Sequence, residues 1–571
     1  MQQNYIIKFY FFIFISFLLY YGCIEKNINP KNIYRAAFES DIPSLDPIQI
    51  GDTQSHDVGY NIYNGLVTYR PQITGKNQKL TDLIPDLAES WVISNNNKTY
   101  TFKIRKGVKF HNGRELIASD FKYSIERLAN PKNASKGLWT LKALPIEGLK
   151  EYQKKCEENK KSEITGIKIL DRYTLQINLT RITPFALHIL AMSYYYVVPK
   201  EEVLRWKKDF TFHPVGTGPF IFKEWKRGQR IVLIKNPNYF EKNLPYLDEL
   251  HYYIVPSEDN RFMRFECGEL EHTDTIPSAR FYTILDNPKW NKLGSIIIQK
   301  LERINDPNQS LIIKEPLLET QYLGIDNQQE PFKDKKVRQA LNYAVDKEKI
   351  IDKVLNGRGL IVRGVLPFGF PGFNPNRQIP YPYNPQKAKE LLKEAGWKDN
   401  NKDGILDKNG KNFDLTLWHN QSEIHSQVAQ CVQADLKDIG INIEIRSLQW
   451  APYIEKIRRN EAKLFRMGWQ ADYPDPDNFI WTLLATENIG QDNHSRYSNK
   501  QVDDLLKKAR NTNNWGKRKI LYQQAESIIV DDAPWIFLYN RIGYKIVQPY
   551  VVNQQLHPLI QNVMKIVKLK K

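Results

Sequence analysis

The stretch GWQADYPDPDNF, residues 468–479, sets three carboxylates among two prolines and three aromatic rings, in a chain whose formal charge is +18. Acids at this density could form a general acid and base pair, ligate a cation, or receive a positive charge brought by a ligand. Pro474 and Pro476 fix their own φ and push Tyr473 and Asp475 towards extended conformations, so the segment is expected to leave its strand as a stiff, non-helical loop. Asp475 and Asp477 then point roughly one way and Asp472 is free to point another. A calcium loop would place glycine where these prolines stand. A second acidic stretch, DNNKDGILDKNG at 399–410, has Asp399, Asn401 and Asp403 at the first, third and fifth loop positions and Gly404 at the sixth. Its twelfth position is Gly410 instead of a bidentate glutamate, so a hairpin between Trp397 and Phe413 is the favoured reading and no metal site is assigned. The ten histidines include no HExxH pair, and there is no G-x-S-x-G elbow or P-loop. No catalytic residue is assigned. A hydrolase using two carboxylates across a cleft stays open, because 64 acidic residues are available.

The positive charge is dispersed through short runs such as WKKD and IRRN, without zinc-finger spacing or an aromatic RNA-binding pattern, so no nucleic-acid partner is expected. Near the N-terminus, Lys8 precedes FYFFIFISFLLYYG, an apolar run of signal-peptide length. Gly22 and Cys23 follow it and resemble a bacterial lipobox, with Cys23 as the lipidated first residue, although Tyr20 and Tyr21 depart from the usual pattern. The chain is therefore expected to be exported and held to a membrane by a lipid. Cys156, Cys267 and Cys431 are too widely spaced for a disulfide framework.

At 571 residues the chain exceeds the size of a single core and should form two or three domains. IYRAAF reads as a strand, and Tyr100, Phe102 and Ile104 alternate as a half-buried strand does. A helix should follow, capped by Ser119, with Phe121, Ile125 and Leu128 on one face. Residues 215–240 read as a glycine and proline turn followed by a hairpin with Gly228 at its tip. Further on, DKKVRQALNYAVDKEKIIDKVL and NPQKAKELLKEAG are helical by spacing, and FDLTLWH and INIEIRSL read as strands around a helix beginning EIHSQ. This βαβ alternation implies an α/β domain.

Taken together, DLAESWVIS, YTFKIRKGVKFHNGRELIASDF, GTGPF, PFKDKKVRQALNYAVDKEKII, YNPQKAKELLKEAG and GWQADYPDPDNF resemble the extracytoplasmic solute-binding proteins of peptide ABC importers, family 5, closest to the oligopeptide-binding branch. The resemblance implies a type II, two-lobed hinged α/β fold with an extra subdomain on the first lobe. It divides the chain into a signal peptide (1–22), a tether (23–32), lobe I (33–58, 191–320 and 541–571), the extra subdomain (59–190) and lobe II (321–540). It also implies a receptor without catalysis or cofactor, a monomer that closes around oligopeptides and delivers them to an inner-membrane ABC permease. Other solutes in the same fold, such as nickel chelate, haem, glutathione or an oligosaccharide, remain alternatives.

The resemblance further implies a ligand held like an added strand, between Gly51, Asp52 and Thr53 on one lobe and Gly468, Trp469 and Gln470 on the other. Asp472 would receive the α-ammonium. Arg466 and His425 would receive the terminal carboxylate, with Arg458 a third candidate, and Trp450 and Trp469 would line aromatic pockets. A basic position of that branch is Leu355 here, which leaves the peptide length open.

Overall fold

A computed structural model describes residues 32–72, 79–94, 97–274, 276–277, 280–285, 312–559 and 563–570. The expected signal peptide, the lipobox cysteine Cys23 and nearly all of the tether lie outside the described residues. Among the described residues no helix is long and apolar enough to cross a membrane.

Three sheets organise the chain. The strand Ile33–Phe38 pairs in parallel with Glu249–Ile254, and Arg230–Lys235 and Phe220–Lys226 complete a four-stranded sheet. Its buried Tyr34, Ala36 and Phe38 alternate along the first strand and pack with Leu233, Leu250 and Phe262. A second, antiparallel sheet is formed by Ala88–Ile93, Thr99–Ile104, Thr174–Asn178 and Ile167–Asp171. Tyr100, Phe102 and Ile104 are all buried there, in one core with Phe121, Ile125 and Leu128 of the helix Ala118–Ala129. That helix starts two residues earlier than a cap at Ser119 would allow. The Asp120 carboxylate takes the Ile117 N–H at 3.0 Å, and Ser119 falls inside the first turn.

The third sheet runs His272–Thr273, Trp535–Val547, Glu319–Ile325, Leu464–Gln470, Asp414–Asn420 and Asn442–Leu448, with Ile312–Pro316 and Gly359–Ile361 also paired to Trp535–Val547. Asp414–Asn420 and Asn442–Leu448 are parallel, joined through the helix Glu423–Lys437, as the alternation in the sequence predicts. The segment 335–353 forms two helices, Lys335–Ala344 and Lys347–Lys353. The chain breaks between them because the buried Lys347 ammonium donates to the carbonyls of Asn342, Val345 and Tyr381, while Asp346 caps the second helix.

The long strand Trp535–Val547 runs from the packing of the third sheet into that of the first. Ile536, Leu538 and Tyr539 pack with Leu323 and Leu417, whereas Tyr544, Ile546 and Val547 join the core of the N-terminal sheet. Ile312–Pro316 and Glu319–Ile325 accompany it across. Strands of this kind can twist while both cores stay packed, which is what a hinge requires.

The loop 399–410 is a hairpin whose side-chain oxygens serve its own backbone: Asp399 accepts from the N–H groups of Asp403 and Gly404, and Asp403 from Ile405. Trp397 and Phe413 stack across its base with centroids 4.1 Å apart.

Candidate functional site

The segment 468–479 lies where the third sheet meets the subdomain. The strand Leu464–Gln470 pairs antiparallel with Glu319–Ile325. Ala471 N–H donates to Leu318 O at 2.8 Å, so alternate residues bond that neighbour, and Gly468 and Gln470 turn their N–H and C=O groups the other way. On that other side the strand Asp414–Asn420 pairs only with Leu464 and Phe465. Residues 468–470 therefore present an unpaired backbone edge among the described residues. A side chain at 468 would not fit, since a Cβ there would meet the Gln321 carboxamide at 2.4 Å, and Gln321 is held by Glu319 at 2.9 Å.

Facing this edge is the N-terminus of the helix Thr53–Ile62. Asp52 caps it, accepting from Ser55 N–H at 2.8 Å and Ser55 Oγ at 2.6 Å, so its carboxylate is committed to the helix and its backbone is what faces outward. The GTGPF turn fixes the far end of this helix. A Cβ at Gly216 or Gly218 would strike the Ile62 backbone at 2.1 or 2.5 Å. Gly51, Asp52 and Thr53 line a cleft of about 240 Å³ together with Gln470 and Asp472. His56, Tyr60, Tyr69, Tyr194 and Tyr196 form the rest of its polar and aromatic wall.

Asp472 is half-buried in this cleft and has no ionic partner among the described residues. Burial pushes its carboxyl up to about 6, opposed by a hydrogen bond from Asn478 and reinforced by the charge of Asp492. Asp475 and Asp477 have a different task. Asp475 makes a two-point pair with Arg518 at 2.8 and 2.9 Å, while Asp477 pairs with Arg510 at 3.0 Å and accepts from the Tyr473 hydroxyl at 3.1 Å. The chain after Asp475 is not the non-helical loop expected from its prolines. Asp475 is extended, but Pro476 opens a single 3-10 turn, Pro476–Asn478, continued by the helix Ile480–Leu484. Proline suits the first position of a helix because its missing N–H would be unpaired there anyway. Tyr473 is buried in the subdomain core and stacks on Phe185 with centroids 5.4 Å apart.

Arg466 is buried on the same strand as Gly468, two residues before it. Its Nη2 donates to the Tyr539 hydroxyl at 3.2 Å, its Nε has no partner, and no carboxylate pairs with it among the described residues. His425, on the first turn of Glu423–Lys437, bonds Asn420 Oδ1 through Nδ1 at 2.7 Å. Burial, with the positive charges of Arg466 and Arg541 nearby, lowers its imidazole to about 3, so it is neutral in this site. The structure thus brings Arg466 and His425 together. Arg458 is exposed, and its charge is felt by Asp492 and His494. Trp450 is 57% exposed and lines neither cleft described here, whereas Trp469 is half-buried and donates from Nε1 to Asn478 at 3.2 Å.

A second cleft of about 270 Å³ adjoins the first through Gln470 and Leu559. Leu355 lines it, as do Arg358, Arg541 and Lys545. Arg541 is fastened to Glu319 by two contacts of 2.5 and 2.6 Å. Sequence reasoning missed these cations because they come from the hinge strand and from a turn, where no local pattern marks them. The signal that could have found Arg358 is its spacing, three residues after Leu355.

Two α/β lobes joined by strands that belong to both cores, with a cleft at the joint, define the architecture of a two-lobed solute-binding protein. Residues 82–491 match the family described as bacterial extracellular solute-binding proteins, family 5 Middle, and the chain belongs to that family. It is 32% identical over 511 residues to heme-binding protein A of Haemophilus influenzae, covering 86% of this chain and 83% of that protein. It is also 32% identical over 513 residues to the oligopeptide-binding protein AppA of Bacillus subtilis, covering 88% and 86%. Among solved structures, the periplasmic binding protein DppA of Helicobacter pylori, in complex with the peptide STSA, superposes with a TM-score of 0.73 at 26% identity, covering 94% of this chain and 98% of that one.

Proposed function

We propose that this protein is the peptide receptor of an ABC importer, capturing oligopeptides between its lobes and delivering them to the membrane permease. One observation carries the reading: among the described residues, an unpaired strand edge at 468–470 lies between a carboxylate without a cation, Asp472, and a buried guanidinium without a carboxylate, Arg466. A zwitterionic peptide supplies what each lacks. Its main chain bonds the edge without regard to sequence, its ammonium meets Asp472, and its carboxylate meets Arg466 beside His425. Gly51, Asp52 and Thr53 offer backbone from the opposite lobe, and Trp469 walls a side-chain pocket. Peptide-bound DppA and the oligopeptide-binding relative support the same reading. Cys23 carries the lipid that keeps the receptor beside its permease, and binding proceeds without cleavage.

Haem is the second reading, favoured by the relative named for it. Haem carries carboxylates but no ammonium, so it would satisfy Arg466 and leave Asp472 unpaired. Calorimetry with tripeptides to pentapeptides, each free or N-acetylated, and with haem, separates the two. The peptide reading expects binding by free peptides, a large loss on acetylation, and recovery of uncleaved ligand. Tight haem binding without peptide binding would overturn it.

A further inference from the structure

We propose that Asn478 is a positioning residue that ties the ligand's ammonium receptor to the indole of Trp469 on the edge strand, so that the charge on Asp472 and the orientation of Trp469 are set together. This inference rests on the peptide reading for its meaning, but not for its test.

Asn478 is completely buried, at the end of the 3-10 turn Pro476–Asn478. Its side chain makes three contacts back to the strand exit. Nδ2 donates to Asp472 Oδ2 at 3.0 Å, and Oδ1 accepts both the Asp472 backbone N–H at 2.9 Å and the Trp469 indole N–H at 3.2 Å. An amide oxygen has two lone pairs, and both are used here. The carboxamide is therefore locked in one orientation. Flipping it would point N–H groups at two donors and an oxygen at a carboxylate. Asp472 keeps one oxygen, Oδ1, clear of this clasp and available to a ligand.

The turn that carries Asn478 is itself rigidly placed. Pro476 starts it, Asp475 Oδ1 accepts the Asp477 N–H at 3.1 Å, and Asp475 is clamped by Arg518. This explains what Asp475 and Asp477 do: they hold the turn that holds Asn478, which holds Asp472. Three further groups interact electrostatically with the Asp472 carboxyl. The charge of Asp492 opposes its ionisation, and Tyr69 and Tyr194 across the cleft sense its charge. His56 shares the cleft and is kept neutral by burial, which lowers it to about 4. Against these the Asn478 donor is the group that favours the ionised form.

The test uses the full chain labelled with 5-fluorotryptophan, the Trp469 resonance being assigned by loss in Trp469→Phe. In ligand-free protein that fluorine resonance should shift with pH, with a midpoint near 6, because protonating Asp472 disturbs the shared carboxamide. Asn478→Ala should abolish the shift. Asn478→Asp, which keeps both acceptor contacts but replaces the donor by a second carboxylate, should retain it and move the midpoint upward by at least half a pH unit. Circular dichroism establishes that each variant is folded. In parallel, Asn478→Ala should weaken a free tripeptide at least tenfold at pH 7.5 while leaving its N-acetyl form unaffected. A Trp469 resonance indifferent to pH, or one that titrates identically in Asn478→Ala, would overturn the proposal. If the coupled shift appears but no peptide binds, the positioning role stands and the peptide reading falls.

Discussion

Replacing Asp472 by asparagine should move stability and binding in opposite directions. In the ligand-free protein its carboxyl is raised to about 6 from an ordinary 3.8. An acid with a raised folded-state pKa destabilises the fold wherever it is ionised, above pH 6, and that cost disappears as pH falls through 6 towards 4. At about 1.4 kcal/mol per pH unit, the cost at pH 7.5 comes to about 2 to 3 kcal/mol, once partial exposure is allowed for. Asp472→Asn removes it while keeping an acceptor for Asn478 Nδ2, so its thermal transition should lie above that of the wild type at pH 7.5, and the gap should close by pH 4. Binding goes the other way. The ligand's ammonium would lose its charged partner in a desolvated cleft, at a cost of about 2 to 5 kcal/mol, roughly 30-fold to several thousand-fold in Kd. Differential scanning calorimetry and isothermal titration on the same two proteins provide both numbers. A variant that lost stability and affinity together would show Asp472 to be a structural acid like Asp475, and unchanged affinity would remove it from the site.

Arg466→Met should weaken free peptides by at least tenfold but leave C-terminally amidated peptides little changed, as titration of the paired ligands would show. Wild-type affinity for free peptides should be flat between about pH 6 and 7 and fall about tenfold per pH unit below that range, since only ionised Asp472 pairs with an ammonium; calorimetry across pH 4.5 to 7 checks this. Gly468→Val should reduce peptide affinity with little effect on the N-terminal sheet, because its Cβ would collide with Gln321 beside the unpaired edge. Arg518→Ala should destabilise the protein by about 3 to 5 kcal/mol in denaturant unfolding by leaving Asp475 buried and unpaired.

Much of this architecture is legible in the sequence wherever a local rule acts alone. The alternation of Tyr100, Phe102 and Ile104 and the βαβ pattern around Glu423–Lys437 both describe elements that exist, because burial on one face dictates their periodicity. The helix cap at Ser119 failed because Asp120, one residue on, finds both the Ile117 amide and Arg114. Tertiary ion pairs of this kind leave no trace in local spacing. The division of labour among Asp472, Asp475 and Asp477 is foreshadowed by the prolines, but the clamps on the latter two, Arg518 and Arg510, arrive from helices more than thirty residues away. Asn478 was invisible for the same reason. Its importance lies in a turn that folds back six residues, and nothing in the type of a single asparagine announces that it will meet Trp469 and Asp472 at once.

The most direct test of the central claim is a native mass spectrum of the full-length protein purified from its own source without refolding. A peptide receptor should arrive loaded, showing a set of mass increments that fragment into short peptides of mixed sequence with free termini. A single increment equal to haem, or an unloaded protein that gains no mass when offered a peptide library, would contradict it.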